Sequence, residues 1–175
     1  MRGFDFAKYK RIIIVGSMGS GKSWLAKQIA GITEYPVYHL DVEFWKPGWV
    51  MSSDEEKIAR LQEITGGEKW IIDGTYGSTM EIRFAAADLI IFLDINWLIC
   101  IWSVAKRTGK KRSDLPGYLE ESKFFSKNFF DTELKMMWKF RKTKRKIIMD
   151  LHKKYPGKEF LHIKSRRKIK KLLKK

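Results

Sequence analysis

A strand, a glycine-rich loop and a helix follow one another within residues 11–29 of the sequence. The run 12–15 is β-branched and uninterrupted, which is typical of a strand covered on both faces of a sheet. After the loop, apolar residues recur at helical spacing, at Leu25, Ala26, Ile29 and Ala30. The stretch therefore predicts a strand–loop–helix unit, and the composition of the loop indicates what this unit binds.

The loop 16–23 has the pattern Gly-x-x-x-x-Gly-Lys-Ser, which binds phosphate when it joins a strand to a helix. Its glycines allow backbone N–H groups to turn toward a polyphosphate, and the helix N-terminus adds partial positive charge. We expect Lys22 to reach the β- and γ-phosphates of ATP and Ser23 to ligate Mg²⁺. The predicted ATP-binding residues of this segment are Gly16, Ser17, Met18, Gly19, Ser20, Gly21, Lys22, Ser23 and Trp24.

The composition favours a single globular domain that covers residues 1–175. A chain of 175 residues with 44% hydrophobic and 14% aromatic content is able to bury a sizeable core. Its one cysteine, Cys100, excludes an internal disulfide and favours a reducing, cytoplasmic setting. The start of the chain lacks an apolar signal core, and Asp94 and Asn96 interrupt the apolar stretch 89–105. We therefore expect a cytoplasmic protein with no membrane span and no obligate protein partner.

The net charge of +16 lies entirely in the C-terminal part of the chain. Residues 1–105 contain 11 basic and 13 acidic side chains, whereas residues 106–175 contain 25 and 7. Such a basic block binds nucleic acid, an anionic membrane or the phosphates in an active site, or it forms solvated helix faces. Solvated faces account best for most of the lysines.

Helical and strand patterns alternate along the chain. One strand is predicted just before the glycine-rich loop, and three more end at Asp41, Asp73 and Asp94. A fifth is predicted at 158–163. Helices are predicted after the loop, at 52–66, up to Arg83, at 96–106, at about 131–154 and after a capping Ser165. This order predicts a three-layer α/β sandwich with a five-stranded, mainly parallel sheet flanked by helices.

Three carboxylates follow the predicted strands, those of Asp41, Asp73 and Asp94. Ligands of parallel sheets bind beyond the carboxyl ends of the strands, so all three are expected near one site. Asp41 either accepts the proton of a substrate hydroxyl or caps a turn. Which of the three serves as base and which holds a metal stays open at this point.

The sequence resembles the bacterial proteins labelled DNA topology modulation proteins, which are similar to adenylate kinase and other small P-loop kinases. The resemblance covers nearly the whole chain and rests on the segments GSMGSGKSWLA, YPVYHLDVEFWKPGWV, WIIDGTYGSTMEIRFAAADLIIFLD, FRKTKRKII and IKSRR. It implies a nucleoside-monophosphate-kinase-like fold, an ATP site and a helical lid at about 107–130. The lid departs from the family pattern at Ser113 and Tyr118. The resemblance names no acceptor for the phosphoryl group.

The resemblance also assigns roles to residues outside the loop. It places Asp73 beside the Mg²⁺ ion and Arg166 or Arg167 near the adenine, and we take Arg167 as the ATP-binding residue. Arg83 lies farther beyond Asp73 than the substrate-binding arginine of adenylate kinase does. The predicted acceptor-binding residues are Asp41, Trp45, Tyr76 and Arg83.

Arginines are expected to neutralise charge during phosphoryl transfer, because a guanidinium matches phosphate oxygens in a bidentate way. The resemblance implies that Arg107 and Arg112 begin the lid and that Arg141 and Arg145 close it. The last two lie four residues apart, so they either clamp one anion or belong to a solvated basic face. The predicted catalytic residues are Lys22, Asp41, Arg107, Arg141 and Arg145.

Other residues have structural interpretations beside the functional ones. His39 alternates with apolar neighbours and is predicted to be a hydrogen-bonded core histidine. Trp45 and Trp49 flank a Pro-Gly turn, where they either stack on a planar substrate or pack the loop. Core positions on helices are predicted for Trp97, Trp102 and Trp138.

Together, these features predict an ATP- and Mg²⁺-dependent kinase that phosphorylates a small molecule, with a nucleotide or nucleoside favoured as acceptor. The first alternative is a nucleic-acid-binding or regulatory ATPase that uses the basic C-terminal half. A second is a basic module that binds anionic membranes. Since the sequence lacks the basic, aromatic-rich pattern of single-strand binders, nucleic-acid binding is expected to be weak and non-specific.

Overall fold

A parallel sheet forms the centre of the molecule in the computed structural model, which describes residues 4–107 and 135–174. The strands are β1 (Arg11–Gly16), β2 (Val37–His39), β3 (Trp45–Lys46), β4 (Val50–Met51), β5 (Trp70–Asp73), β6 (Leu89–Leu93) and β7 (Glu159–Ile163). Five of them form the sheet in the order β2-β5-β1-β6-β7, and each neighbouring pair is parallel. The short β3 and β4 pair with each other in an antiparallel hairpin.

Helices cover both faces of this sheet. They are α1 (Lys22–Thr33), α2 (Leu40–Glu43), α3 (Asp54–Gly66), α4 (Met80–Ala86), α5 (Trp97–Arg107), α6 (Arg145–Lys154) and α7 (Arg166–Leu172). A π-helical turn, Phe140–Lys144, leads directly into α6. Short 3₁₀ turns lie at Phe6–Lys8 and Pro47–Trp49.

The alternation of side chains along β1 divides the core into two halves. Ile12 and Ile14 point into one cluster with Leu25 and Ile29 of α1. Ile13 and Val15 point into the other cluster, whose helical members include Leu61, Ile64, Met80, Phe84, Ile148 and Leu151. Burial of each such side chain contributes about 1.5–3 kcal/mol, so a strand that is apolar on both faces stabilises both layers. The three-layer sandwich predicted from the sequence is confirmed.

Helix caps also agree with the sequence. The helix predicted at 52–66 begins after Ser53 with a capping box, in which Ser53 accepts from the Glu56 N–H while Glu56 accepts from the Ser53 N–H. Ser165 accepts from the Lys168 N–H at the start of α7, as predicted. The long helix predicted at about 131–154 is helical from residue 135 onward, with the π-turn inside it.

Two predictions about local structure are wrong. β2 ends at His39 rather than at Asp41, because the next residue, Leu40, turns its buried side chain against Gly74 and opens α2. Asp41 therefore lies in a helical turn. The three tryptophans that were predicted to be core are largely exposed, at 39%, 57% and 55% for Trp97, Trp102 and Trp138.

The exposed tryptophans have cationic neighbours. Lys106 lies over the Trp102 ring, with Nζ 3.7 Å from its centroid, and Lys142 lies 5.1 Å from the centroid of Trp138. Helical spacing of apolar residues does not distinguish a ring covered by the core from one covered by a basic side chain.

Most of the predicted lid lies outside the described residues, including Arg112, Ser113 and Tyr118. Arg107 is the last residue of α5. Within the ranges 4–107 and 135–174, none of the helices has the length and apolar character that a bilayer span requires.

Candidate active site

The glycine-rich loop connects β1 to α1 at the carboxyl edge of the sheet. Gly21, with φ 99°, is the residue that precedes α1, and Gly19 has φ 74°. Both values lie in the left-handed region that residues with a Cβ rarely adopt. A Cβ on Gly19 would also collide with the backbone carbonyl oxygen of Cys100. The loop is therefore packed tightly against α5, and glycine is required for this contact.

Thr75, which follows β5, forms two hydrogen bonds with the first residue of the loop. Its hydroxyl accepts a hydrogen bond from the Gly16 N–H at 2.9 Å and donates to the Gly16 carbonyl oxygen at 2.8 Å. Thr75 could not be identified from the sequence, because its role depends on the pairing of β1 with β5. The contact fixes the point at which the chain leaves the sheet.

One buried side-chain hydroxyl of the loop has no partner among the described residues. The Lys22 ammonium donates to the Ser17 carbonyl oxygen at 3.1 Å, and the same oxygen accepts from the Ser20 N–H at 3.2 Å. The Ser20 hydroxyl is buried without a hydrogen-bond partner in the described part of the chain. Buried polar groups are normally satisfied, so an unpaired hydroxyl in a glycine-rich loop fits a site that receives a polar ligand.

Asp73, the last residue of β5, lies beside the strand that leads into the loop, in register with Ile14. Its Oδ2 is 3.0 Å from His39 Nδ1, so the histidine predicted to be hydrogen-bonded has its partner here. The other carboxylate oxygen, Oδ1, is buried and lacks a partner in the described ranges. A carboxylate oxygen of this kind suits Mg²⁺ or a water bound to it. The donors present thus fit Mg²⁺ and ATP, with Ser23 and Asp73 as the candidate metal-side residues.

Three of the predicted acceptor-binding residues form a hydrogen-bonded chain. The Trp45 indole donates to the Tyr76 hydroxyl at 2.9 Å, and that hydroxyl donates to Oδ1 of Asp41 at 2.8 Å. Burial, followed by the Asp41 charge, raises the pKa of Tyr76. Tyr76 therefore stays a donor at neutral pH and orients the carboxylate, which is itself exposed.

The fourth predicted acceptor-binding residue, Arg83, supports the loop that follows β5. It is completely buried and donates at 2.8 Å to the carbonyl oxygens of Gly74 and Tyr76. Burial lowers the pKa of Arg83, and the nearby Asp73 carboxylate opposes this effect. Both terminal nitrogens of Arg83 thus bind backbone carbonyl oxygens in this structure. Its contact with the acceptor stays a prediction.

The two predicted lid arginines have different partners. Arg145 Nε lies 3.1 Å from Oδ2 of Asp94, and His162 Nε2 lies 2.9 Å from the same oxygen. Arg141 lies over the ring of Trp97, 5.8 Å from its centroid. Asp94 is thereby occupied by two basic side chains, which leaves Asp41 and Asp73 as the better candidates for base and metal ligand. The clamping of one phosphate by both arginines stays a prediction.

At the C-terminal end of the chain, Arg166 rather than Arg167 contacts the glycine-rich loop. Its Nη2 donates to the Gly19 carbonyl oxygen at 2.8 Å and to the Ser103 hydroxyl at 2.5 Å. Arg167 is exposed, as is Trp24 on α1. Their predicted contacts with ATP stay predictions.

We expect Arg166→Ala to raise the KM for ATP about tenfold, because it removes a charge-assisted hydrogen bond that fixes the Gly19 peptide. Arg166→Lys should recover part of this loss. Arg167→Ala, measured in parallel, separates the two assignments. A larger effect at Arg167 would restore the assignment made from the sequence. Steady-state kinetics and calorimetric ATP titration provide the measurement.

No protein-family model matches the chain, and no curated protein matches it significantly. Solved structures match it over nearly its full length. A shikimate kinase from Acinetobacter baumannii in complex with shikimate aligns with a TM-score of 0.58 at 14% identity and covers 96% of this chain and 93% of its own. The chain has the fold of the P-loop kinases. A shikimate kinase from Bacteroides thetaiotaomicron has a TM-score of 0.55 at 17% identity, with 94% of each chain covered.

A gluconokinase from Sinorhizobium meliloti 1021 aligns with a TM-score of 0.50 at 15% identity, over 98% of this chain and 89% of its own. At such identities these neighbours establish the fold of the chain. The resemblance to DNA topology modulation proteins stays a prediction, since no family model matches.

Proposed function

We propose that this chain is an ATP- and Mg²⁺-dependent kinase that phosphorylates a hydroxyl group of a small molecule. The main support for the proposal is that two features lie at the same edge of the sheet. The glycine-rich loop follows β1, and the Trp45–Tyr76–Asp41 chain joins the segments that follow β2 and β5. A phosphate-binding loop and an oriented carboxylate are the two parts that phosphoryl transfer to an alcohol requires.

Each residue has a distinct task in this mechanism. When bound, Mg²⁺·ATP supplies the transferable phosphoryl group and part of the charge neutralisation. Lys22 supplies positive charge at the loop, and the loop backbone provides N–H donors. Asp41 accepts the proton of the acceptor hydroxyl, while Tyr76 holds the carboxylate in place through the 2.8 Å hydrogen bond.

Two observations suggest which classes of acceptor to test. The resemblance to adenylate kinase favours a nucleoside or nucleotide. The likeness of fold to shikimate kinase and gluconokinase adds hydroxy acids to the classes that deserve a test.

The experiment is a screen for ADP formation from Mg²⁺·ATP with nucleosides, nucleotides, hydroxy acids and small alcohols. We expect turnover that requires one acceptor class, with a phosphorylated product visible by ³¹P NMR. Duplex DNA at physiological salt is the essential comparison. ATP hydrolysis that rises several-fold with DNA, needs no small acceptor and disappears in Arg141→Ala with Arg145→Ala would replace the kinase proposal with the DNA-dependent ATPase.

A further inference from the structure

Lys144, at the end of the π-helical turn, places its ammonium group in the loop that follows β5. The side chain fills the space that a Cβ of residue 77 would occupy. Its Cε lies 3.1 Å and its Cδ 3.2 Å from that Cβ position, and Nζ lies closer still. Gly77 therefore admits the lysine, and any larger residue would displace its flexible end. π-helical turns are frequent at functional sites because they redirect side chains along a helix.

This cation lacks a counter-charge in the described part of the chain. Lys144 is half-buried and forms no salt bridge within residues 4–107 and 135–174. Desolvation lowers the pKa of Lys144, and the positive charges of Lys139 and Arg83 lower it further. Partly buried charges are normally paired, since an unpaired one loses hydration without compensation. An anion at this position would remove that cost.

Two further buried polar atoms without partners lie near this loop, one on Thr79 at its end and one on Arg83 of α4. Arg83 is fully buried, and its Nε has no hydrogen-bond partner among the described residues. The Thr79 hydroxyl is also buried, 1% exposed, and is likewise unpaired there. The loop thus contains a buried hydroxyl, contacts the cationic side chain of Lys144 and is held by the buried guanidinium of Arg83.

The loop belongs to the acceptor side of the site. Gly77 directly follows Tyr76, whose hydroxyl donates to Asp41 and whose carbonyl oxygen accepts from Arg83. Lys144 contacts this segment, whereas the glycine-rich loop has its own cation in Lys22, which lies against Ser17. An anion beside Gly77 would therefore belong to the molecule whose hydroxyl faces Asp41.

We propose that Lys144 and the loop 74–79 form a subsite for an anionic group, a carboxylate or a phosphate, carried by the acceptor. The inference rests on the proposed kinase function and narrows its acceptors to hydroxylated anions. A neutral sugar or nucleoside leaves the ammonium uncompensated, so it binds less well. A charge-assisted hydrogen bond of this kind changes affinity by about tenfold or more.

Binding of simple anions tests the subsite without requiring turnover. With the glycine-rich loop filled by a non-hydrolysable ATP analogue and Mg²⁺, acetate and inorganic phosphate are titrated separately while the Gly77 amide resonance is followed. We expect a saturable shift in the wild type and at least tenfold weaker binding in Lys144→Met. Lys146→Met is the matched control, because Lys146 pairs with Asp150 on the exposed side of α6. The preferred anion distinguishes a carboxylate from a phosphate ligand.

Equal anion binding by wild type and Lys144→Met would overturn the subsite, whether or not the ATP analogue binds. Failure of the analogue to bind, with the Gly77 response intact, would instead contradict the kinase proposal. Gly77→Ala provides a second variant, since it displaces the ammonium without removing it, and it should weaken anion binding as well. Thermal unfolding supplies the structural control. Lys144→Met should be as stable as wild type or more stable, and marked destabilisation would assign the lysine a structural role.

Kinetics on matched acceptors extend the test. Gluconate is compared with glucose, and a nucleoside 5′-monophosphate with its nucleoside. The anionic member of the active pair should be preferred, and Lys144→Met should raise its KM at least tenfold with little change in the KM for ATP. An unchanged preference in the variant would contradict the assignment.

Discussion

Lys22→Ala is expected to lower phosphoryl transfer by about a thousandfold and to weaken ATP binding, while the protein stays folded. The reason is that the ammonium group is half-buried at the loop and, within residues 4–107 and 135–174, donates only to the Ser17 carbonyl oxygen, a contact that contributes little to the core. In the proposed mechanism Lys22 supplies positive charge to the phosphates, and the described residues of the loop include no other cation to replace it. Calorimetric titration with Mg²⁺·ATP measures the binding, and steady-state kinetics measure the transfer.

Lys27→Ala provides the matched control, because Lys27 lies on the exposed face of the same helix. Its ATP affinity, turnover and melting temperature should match those of the wild type. Unchanged ATP affinity in Lys22→Ala would show that the glycine-rich loop does not bind the nucleotide in the proposed way. The kinase proposal would then lose its main support.

The parts of the site that a short segment encodes could be predicted from the sequence. The loop 16–23 is such a segment, because its glycines, its lysine and the flanking strand and helix are all local features. The strand ends also placed Asp41 and Asp73 at one edge of the sheet, although Asp41 lies in α2 rather than directly after β2. The order of helices and strands along the chain could likewise be predicted, because helical and strand patterns alternate in the sequence.

Contacts between distant segments could not be predicted. Thr75 holds Gly16 only because β1 and β5 pair, and Arg166 reaches Gly19 only because α7 packs near α5. The sequence does not distinguish Lys144 from the other lysines of its helix, because only the folded structure shows that it lies beside Gly77. The identity of a residue does not show which neighbour it will meet.

The charge asymmetry of the sequence has a partial structural explanation. Basic residues of the C-terminal part pair with acidic residues of the N-terminal part, as Arg145 does with Asp94 and Lys154 with Glu81. Such pairs at the surface contribute little stability each. They show that some of the basic excess faces protein carboxylates. The weak, non-specific DNA binding expected from the sequence stays a prediction.

The second large effect is expected at Asp41. Asp41→Asn keeps the shape of the side chain and an oxygen that accepts from Tyr76, but it removes the ability to take a proton. If Asp41 is the base for a hydroxyl acceptor, turnover should fall by about a hundredfold or more, with ATP affinity unchanged. Turnover with the identified acceptor and calorimetric ATP titration together separate a loss of chemistry from a loss of binding.

Tyr76→Phe refines this test, because it leaves the carboxylate in place and removes the 2.8 Å hydrogen bond that orients it. Its turnover should fall less than that of Asp41→Asn. Asp150→Asn, which neutralises an exposed carboxylate of α6, controls for the loss of one negative charge. Normal turnover in Asp41→Asn would remove the base role, and the acceptor atom would then be a phosphate oxygen, which needs no strong base. In that case a nucleoside monophosphate becomes the expected substrate.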